Sequence, residues 1–546
     1  MKANFKKVMA ASLSAMMVMS MGVATNIQAA GSIELTPTSE GVALTGRTFT
    51  AYKLFNVTKE ANGSLNYSEV DAKTTAAVVK AIRATITKYN ADEKNVDVPT
   101  LEKETVKDVV NYLTSDAILN NSKFHIELAK QLQKETTLTA VKGNFEESGS
   151  SLIKKDLEDG YYLVLETPRE GKDVSLAILQ TVCGATLSIP VKSDTPTIDK
   201  TVNGKQDVDD YQIGDTIPFE LTAKAPSKGT LSHYDTYSFK MTDTLSEGLT
   251  LNTDSIQFEI GSETTSITIE GSNVMYDGAS IGTITTSSNS LVVDFNLKSD
   301  KFESLFANAS SMNTIKVTYT AELNAKAVIG DPDSNAQNNN KVVLEYNNNP
   351  SQSEVKGKDE DDVNVYSYGL EIVKQDARDT DKKLSGAKFK LYKNSVSDEN
   401  LVKFTEQNGK YIVDKNGVTE EVITNDQGML NIDGLDDGTY VLVETEAPEG
   451  FNKLKEPITI EITPEYNGKD LVGLTYVVSG GDGEASNTGV ADQATGTVSV
   501  TVNNNSGFEL PSTGGMGTTI LYGAGILAMA GGVCYFVMDK KRRAQQ

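Results

Sequence analysis

Six polar residues stand where a β-rich chain would be expected to carry apolar ones. Alternate residues of a strand share a face. In Leu370-Glu371-Ile372-Val373-Lys374 that rule sets Lys374 beside Leu370 and Ile372, on a face destined for a core. Glu444 shares its face with Tyr440 and Leu442, and Asn504 continues the face of Val498, Val500 and Val502. An earlier stretch repeats the set. Lys200 lies with Ile198 and Val202, Asp243 with Tyr237, Phe239 and Met241, and Asn340 with Val342, Leu344 and Tyr346. Burying a lone charge is costly, and such groups neutralise or pair. Burial lowers the pKa of a lysine and raises that of a carboxyl. A neutral amine is a nucleophile, and a protonated carboxyl can hydrogen-bond to an amide oxygen and polarise its carbon. A lysine, a carboxyl and an asparagine brought together can therefore join lysine Nζ to asparagine Cγ, expel ammonia and leave an isopeptide bond. The plainer outcome is a buried salt bridge with an amide nearby.

The elements that must position these residues fall by pattern into three segments, 31–192, 193–367 and 368–506. The first opens with strand-like alternation from Arg47 to Phe55. It then turns helical, with Val78, Ile82, Ile86 and Tyr89, and again Val106, Val109, Val110 and Leu113, at helical spacing. Strand character returns at Gly160–Glu166, so the segment reads as a β-rich domain with a helical insertion. The second is rich in Thr, Ser, Val and Ile, with frequent Gly, Asn and Asp turns, which predicts an antiparallel sandwich. It closes in an acidic, hinge-like run, Lys358-Asp359-Glu360-Asp361-Asp362, followed by a strand, Val363–Tyr366. The third has the same character as the second. The fold class expected is mainly β, with tandem sandwich domains.

A formal net charge of -24 argues against nucleic acid as a partner and for a soluble, self-repelling surface. The two histidines, His125 and His233, leave little material for a zinc site or a Ser-His triad, and read as ordinary surface or strand residues. Asp331-Pro332-Asp333-Ser334-Asn335 starts like a calcium loop, but the sixth-position glycine is missing and Val342 stands where the last glutamate belongs. It reads as a polar turn. No metal or cofactor is expected, and no nucleophile–base pair points to a turnover enzyme.

Both ends carry transport signals. Lys2, Lys6 and Lys7 precede the apolar run Val8–Val23, and Ile27-Gln28-Ala29-Ala30 offers small residues for cleavage, so residues 1–30 read as a secretory signal peptide. Residues 507–546 contain Leu510-Pro511-Ser512-Thr513-Gly514, an uncharged run from Met516 to Met538, and Lys540-Lys541-Arg542-Arg543. The run is long enough to cross a bilayer as a helix, and the basic cluster would hold the tail in the cytoplasm. Of the two cysteines, Cys534 sits in that run, so the exported part keeps only Cys183 and can form no internal disulfide.

The pentapeptide, the span and the basic tail together resemble the cell-wall sorting signal of Gram-positive surface proteins. Leu384–Tyr392 and Gly438–Phe451 resemble the B-type repeat domain of collagen adhesins and pilins, the second stretch being similar to its "E-box". The chain as a whole thus resembles the sortase-assembled major pilins. That resemblance implies Ig-like sandwiches of the collagen-adhesin A and B types. It pairs Lys374 with Asn504, with Glu444 as the catalytic carboxyl, and Lys200 with Asn340, with Asp243 in that role. Glu220 is a rival to Asp243, and Asn338 and Asn339 adjoin Asn340. Glu166 imitates an E-box, but no lysine lies in the opening strand around Ile33 and Leu35, so no bond is expected in the first domain.

The resemblance also implies that sortase cuts between Thr513 and Gly514, holds Thr513 as a thioester and passes it to an amine. In such pilins the acceptor lysine ends the first domain in a Tyr-Pro-Lys type of motif. Here Ile189-Pro190-Val191-Lys192 lacks the tyrosine and is longer by one residue; Lys192 is the expected acceptor, with Lys205 and Lys172 as alternatives. The implied protein is a wall-anchored, extracellular shaft subunit that supports adhesion. Its partners would be pilus-specific and housekeeping sortases, identical subunits in a head-to-tail covalent polymer, peptidoglycan, minor pilins and a host surface ligand. The alternative is a monomeric wall-anchored adhesin that binds a host protein.

Overall fold

The computed structural model describes residues 31–37, 44–91, 96–169, 174–175, 177–191, 194–204, 206–261, 266–306, 312–331, 338–350, 356–481 and 487–507. Period-two burial builds most of it. In the strand Thr216–Ala225 the buried residues are Ile217, Phe219, Leu221, Ala223 and Ala225, with polar residues between them. The strands of the described residues gather into three consecutive pairs of sheets, spanning Gly31–Val191, Thr197–Tyr366 and Tyr368–Asn504, and among them no sheet mixes strands from two pairs.

The first pair has four strands in each sheet. Between Leu65–Glu69 and Glu146–Ser148 the chain leaves the sheets for the helices Ala72–Asn90, Val106–Leu113, Asp116–Leu119 and Ser122–Gln133. Side chains start three of them: Asp71 accepts the Thr74 N–H at 2.8 Å, and Thr105 and Asn121 cap the second and fourth in the same way. The apolar stripe Val78, Ile82, Ile86, Val109 and Leu113 packs on Leu54, Phe55 and Tyr161 of the sheet. His125 is neither on the surface nor on a strand. It is 3% exposed on Ser122–Gln133, edge-on to Phe124, and burial lowers its pKa. His233 sits in the turn after the short helix Lys228–Leu231.

In the middle pair, Thr197–Val202 is the edge strand of a four-stranded sheet, next to Thr216–Ala225. The eight-stranded sheet opposite pairs Phe239–Leu245 with Asn338–Asn347 antiparallel, Met241 against Leu344. The acidic run is not a hinge. It lies within the strand Lys356–Tyr366, antiparallel to Asn338–Asn347. Its carboxylates have structural partners: Asp359 accepts the N–H of Ile198 at 2.9 Å and Asp361 that of Lys200 at 2.8 Å. The edge strand thus finds side-chain acceptors where a neighbouring strand is missing. Consecutive charges hide this from a reading by alternation.

In the third pair, Tyr368–Asp376 runs parallel to Thr497–Asn504, with Lys374 level with Val502 and Asp376 with Asn504. The first and last strands of this domain therefore lie side by side. Gly438–Glu446 belongs to the facing sheet, between Lys388–Lys393 and Ile458–Asn467. The middle and third domains share one continuous apolar core. At their joint Tyr366 stacks on Tyr466 at 5.6 Å, and Lys469 reaches Asp361 and Asp362, each at 3.0 Å. Gly330 and Gly496 meet so closely there that a Cβ on Gly330 would lie 2.3 Å from the Gly496 nitrogen. No helix among the described residues is long and apolar enough to cross a membrane. The signal peptide of residues 1–30 and the run 516–538 lie outside the described residues.

Candidate functional site

Lys374, Glu444 and Asn504 meet between the sheets of the third domain, none more than 3% exposed. Lys374 Nζ donates to Asn504 Oδ1 in close contact, and to the Val502 carbonyl at 3.2 Å. Asn504 Nδ2 donates to Glu444 Oε1 at 3.0 Å, to Oε2 at 3.2 Å and to the Asn452 carbonyl at 3.0 Å. The Asn452 carbonyl fixes the direction of the amide, because only its NH2 end can serve an acceptor. Glu444 Oε1 is also 3.8 Å from Lys374 Nζ, so this carboxyl stands between the amine and the amide nitrogen. Burial pushes the Glu444 carboxyl above its usual range, against the pull of the Leu454 N–H and the Lys374 charge. The sequence reading aims the carboxyl at the amide oxygen; the geometry aims it at the nitrogen.

The middle domain assembles its trio across the two sheets. Lys200, Asp243 and Asn340 are all fully buried. Lys200 Nζ lies 2.6 Å from Asp243 Oδ1 and donates to the Tyr319 hydroxyl at 3.0 Å. Tyr319 in turn donates to Asp243 Oδ2, and accepts from Asn340 Nδ2 at 2.7 Å. Asn340 Oδ1 is buried with no hydrogen-bond partner among the described residues. Phe219 and Tyr319 stack at 5.5 Å, and each ring centroid is 5.5 Å from Lys200 Nζ. Burial lowers the Lys200 pKa, while the Asp243 charge opposes that shift.

The rivals point elsewhere. Glu220 is half-exposed and pairs with Lys316 at 3.2 Å. The Asn338 amide is committed to the Val328 backbone and the Val365 carbonyl, and that of Asn339 to Asp362 and Asn364. Tyr319 has no sequence signal: a tyrosine in line with Ile315, Val317, Ala321 and Leu323 is an ordinary core residue until the fold puts its hydroxyl among these groups.

In the first domain Arg47 Nε donates to Glu166 Oε1 at 2.7 Å, Nη2 engages Oε2, and the Ser175 N–H reaches Oε2 at 2.6 Å. A guanidinium stays charged and is no nucleophile, so this buried pair is structural. Lys192, with its alternatives Lys172 and Lys205, lies outside the described residues, as do Leu510, Pro511, Ser512, Thr513 and Gly514. Residues 332–337 of the calcium-loop look-alike lie outside them too. No group of metal-ligating side chains is found among the described residues.

Residues 369–472 match the family profile described as SpaA, a prealbumin-like fold domain. The chain is 26% identical over 416 residues to the trypsin-resistant surface T6 protein of Streptococcus pyogenes serotype M6, covering 64% of this chain and 70% of that protein. The solved structure of the T6 backbone pilin of serotype M6 Streptococcus pyogenes, described as modular and three-domained, aligns with 89% of this chain and 100% of its own, at a TM-score of 0.54 and 18% identity. The chain is thus similar in fold to a backbone pilin. The major pilin SpaD of Corynebacterium diphtheriae aligns more loosely, with 89% of this chain and 99% of its own, at a TM-score of 0.46 and 18% identity. Within this pilin-like fold, the SpaA-type segment holds Lys374 and Glu444, and Asn504 is brought to them by the strand Thr497–Asn504 beyond its end.

Proposed function

We propose that the chain is the repeating subunit of a covalently built pilus shaft and that it staples itself internally through Lys374–Asn504 and Lys200–Asn340. One observation carries the reading: a buried carboxyl, Glu444, bonds the amide nitrogen of the residue whose carbonyl oxygen touches a buried lysine. In this reading Lys374 Nζ gives up a proton to become neutral, attacks Asn504 Cγ, and the Cγ–Nδ2 bond breaks with its electron pair moving to nitrogen. Glu444, next to both nitrogens, takes that first proton from Nζ and gives it to Nδ2, then takes the second Nζ proton as the new bond forms, so that ammonia departs, the new amide keeps one hydrogen and Glu444 is left protonated. The catalysis acts once, on the chain itself, so the protein is a structural subunit and not a turnover enzyme.

Between subunits, sortase would cut after Thr513 and transfer it to Lys192 of the next copy; the last subunit would be passed to peptidoglycan by a housekeeping sortase. Val191, the residue before Lys192, ends the strand Thr186–Val191, which runs parallel to the opening strand Gly31–Pro37. That position supports an acceptor at the exit of the first domain. Lys192→Arg keeps the charge and removes the acceptor amine. The expected outcome is loss of the detergent-resistant high-mass ladder from wall extracts, with secretion and wall linkage of single subunits intact. A normal ladder from the variant would move the acceptor to another lysine. A single wall-linked band from the unaltered protein would favour a monomeric adhesin and end the polymer reading.

A further inference from the structure

The two clusters solve the same chemical problem with different connections. In the third domain the carboxyl touches the leaving amide directly, Glu444 Oε1 to Asn504 Nδ2 at 3.0 Å. In the middle domain Asp243 bonds Lys200 and Tyr319 and has no hydrogen bond to Asn340 among the described residues. Among the described residues, the hydroxyl that joins the two nitrogens is that of Tyr319, 3.0 Å from Lys200 Nζ and 2.7 Å from Asn340 Nδ2.

We propose that Tyr319 is a catalytic residue of the middle domain, the proton relay that carries a lysine proton to the departing amide nitrogen during Lys200–Asn340 bond formation. The inference rests on the self-stapling reading above. In the observed arrangement Lys200 Nζ stands 2.6 Å from Asp243 Oδ1, and the relay is written from a lysine that starts as the ammonium. The first proton passes from Nζ to Asp243, leaving a neutral amine and a neutral acid. Tyr319, until then hydrogen-bonded to the carboxylate, is released and can turn its O–H towards Nδ2. As the Nζ lone pair forms the bond to Cγ, Nζ gives its second proton to the Tyr319 oxygen. Tyr319 gives its own proton to Nδ2, the Cγ–Nδ2 bond breaks with its pair on nitrogen, and ammonia leaves. The new amide keeps one hydrogen, Tyr319 regains its hydroxyl and Asp243 ends protonated, so every proton is accounted for.

The surroundings suit a relay. Tyr319 is 2% exposed and stacked on Phe219, so the hydroxyl oxygen is held in one place and shielded from bulk solvent. Burial drives its pKa well above the ordinary phenol value, which keeps it a neutral group able to accept and donate in one step. The third domain needs no such relay because Glu444 bridges its own pair of nitrogens.

Tyr319→Phe is the test, since it removes one oxygen and keeps the stacked ring. The full exported chain is purified promptly after expression, and ammonia loss from the middle and third domains is followed over time by mass spectrometry of the intact protein and of linked peptides. Bond formation at Lys200–Asn340 is expected to slow on the order of 100-fold, the scale of one acid–base group, while Lys374–Asn504 forms as usual in the same molecules. That internal control separates a chemical defect from misfolding. As a second variant, fluorinated tyrosine at position 319, which acidifies the hydroxyl and preserves its shape, is expected to change the rate and its pH dependence. A Lys200–Asn340 bond formed at the unaltered rate in Tyr319→Phe would overturn the relay and leave the stapling reading standing. Absence of the bond from the unaltered protein would overturn both.

Discussion

At the scale of residues, the chemistry depends on which neighbour turns the asparagine. Asn452 and Leu454 come from the loop after Gly438–Glu446; the first takes the Asn504 NH2 and the second donates to Glu444 at 2.7 Å. These two backbone groups hold the carboxyl at the leaving nitrogen, a detail that side-chain parity along a strand cannot reveal. Parity did reveal the six polar residues themselves, because a lysine in register with Leu370 and Ile372 has nowhere to point but inward. Tyr319 was hidden for the opposite reason, since a tyrosine breaks no pattern on an apolar face. Removing the carboxyl tests the assignment. Glu444→Ala is expected to retain one ammonia in the intact mass, with the middle-domain bond unaffected. A shortfall still equal to two ammonias from the variant's own sequence mass would show that Glu444 is not the catalyst.

At the scale of elements, each lysine sits at the start of its domain and each asparagine near the end, but the two cases differ. Asn504 lies on the last strand of the third domain, alongside the first. Asn340 lies on the strand before the last of the middle domain, and Lys356–Tyr366 follows it. A bond at Asn340 therefore leaves that final strand outside the covalent loop. It is held by its antiparallel pairing, by Asp359 and Asp361 on the edge strand, and by Lys469 from the third domain. The acidic run that looks like a hinge is thus part of what secures the domain's exit; its alternation is legible only once the edge strand beside it is known. For the third domain the two residues of the proposed link are 130 positions apart, and closing so long a loop would stabilise by roughly 5 kcal/mol in the chain-entropy account. That rivals the whole stability of a small domain. Lys374→Ala and, independently, Asn504→Ala are expected to lower the melting temperature of the third domain and expose it to trypsin. If neither lesion changes the melting profile, the cross-link contributes nothing there.

At the scale of the whole molecule, the middle and third domains share one apolar core, and a half-buried carboxyl, Asp210, stands at their joint. Asp210, at the end of Val208–Asp210, accepts the Asp437 N–H at 2.7 Å and the Tyr466 hydroxyl at 2.8 Å, and Tyr466 bonds Tyr368 at 2.7 Å. Burial, then the charge of Asp437, raises the Asp210 carboxyl to about 7, with Asp436 adding to the rise. Asp436 is itself paired with Lys393. In separated domains the carboxyl would return to its ordinary value near 4. The docked state therefore binds the proton more tightly, and its contribution to docking is full below the ordinary range and lost as pH rises through about 7. Melting of the exported chain is expected to show a firmer joint at about pH 5.5 than at about pH 8. Asp210→Asn should flatten that difference, and an equal slope in both proteins would remove Asp210 as its cause. The central claim, a subunit that staples itself twice, meets its most direct test in one number: the intact mass of the purified region 31–507. The expected mass falls short of the sequence mass by two ammonias, with linked peptides joining Lys374 to Asn504 and Lys200 to Asn340. A mass equal to that of the sequence would contradict it.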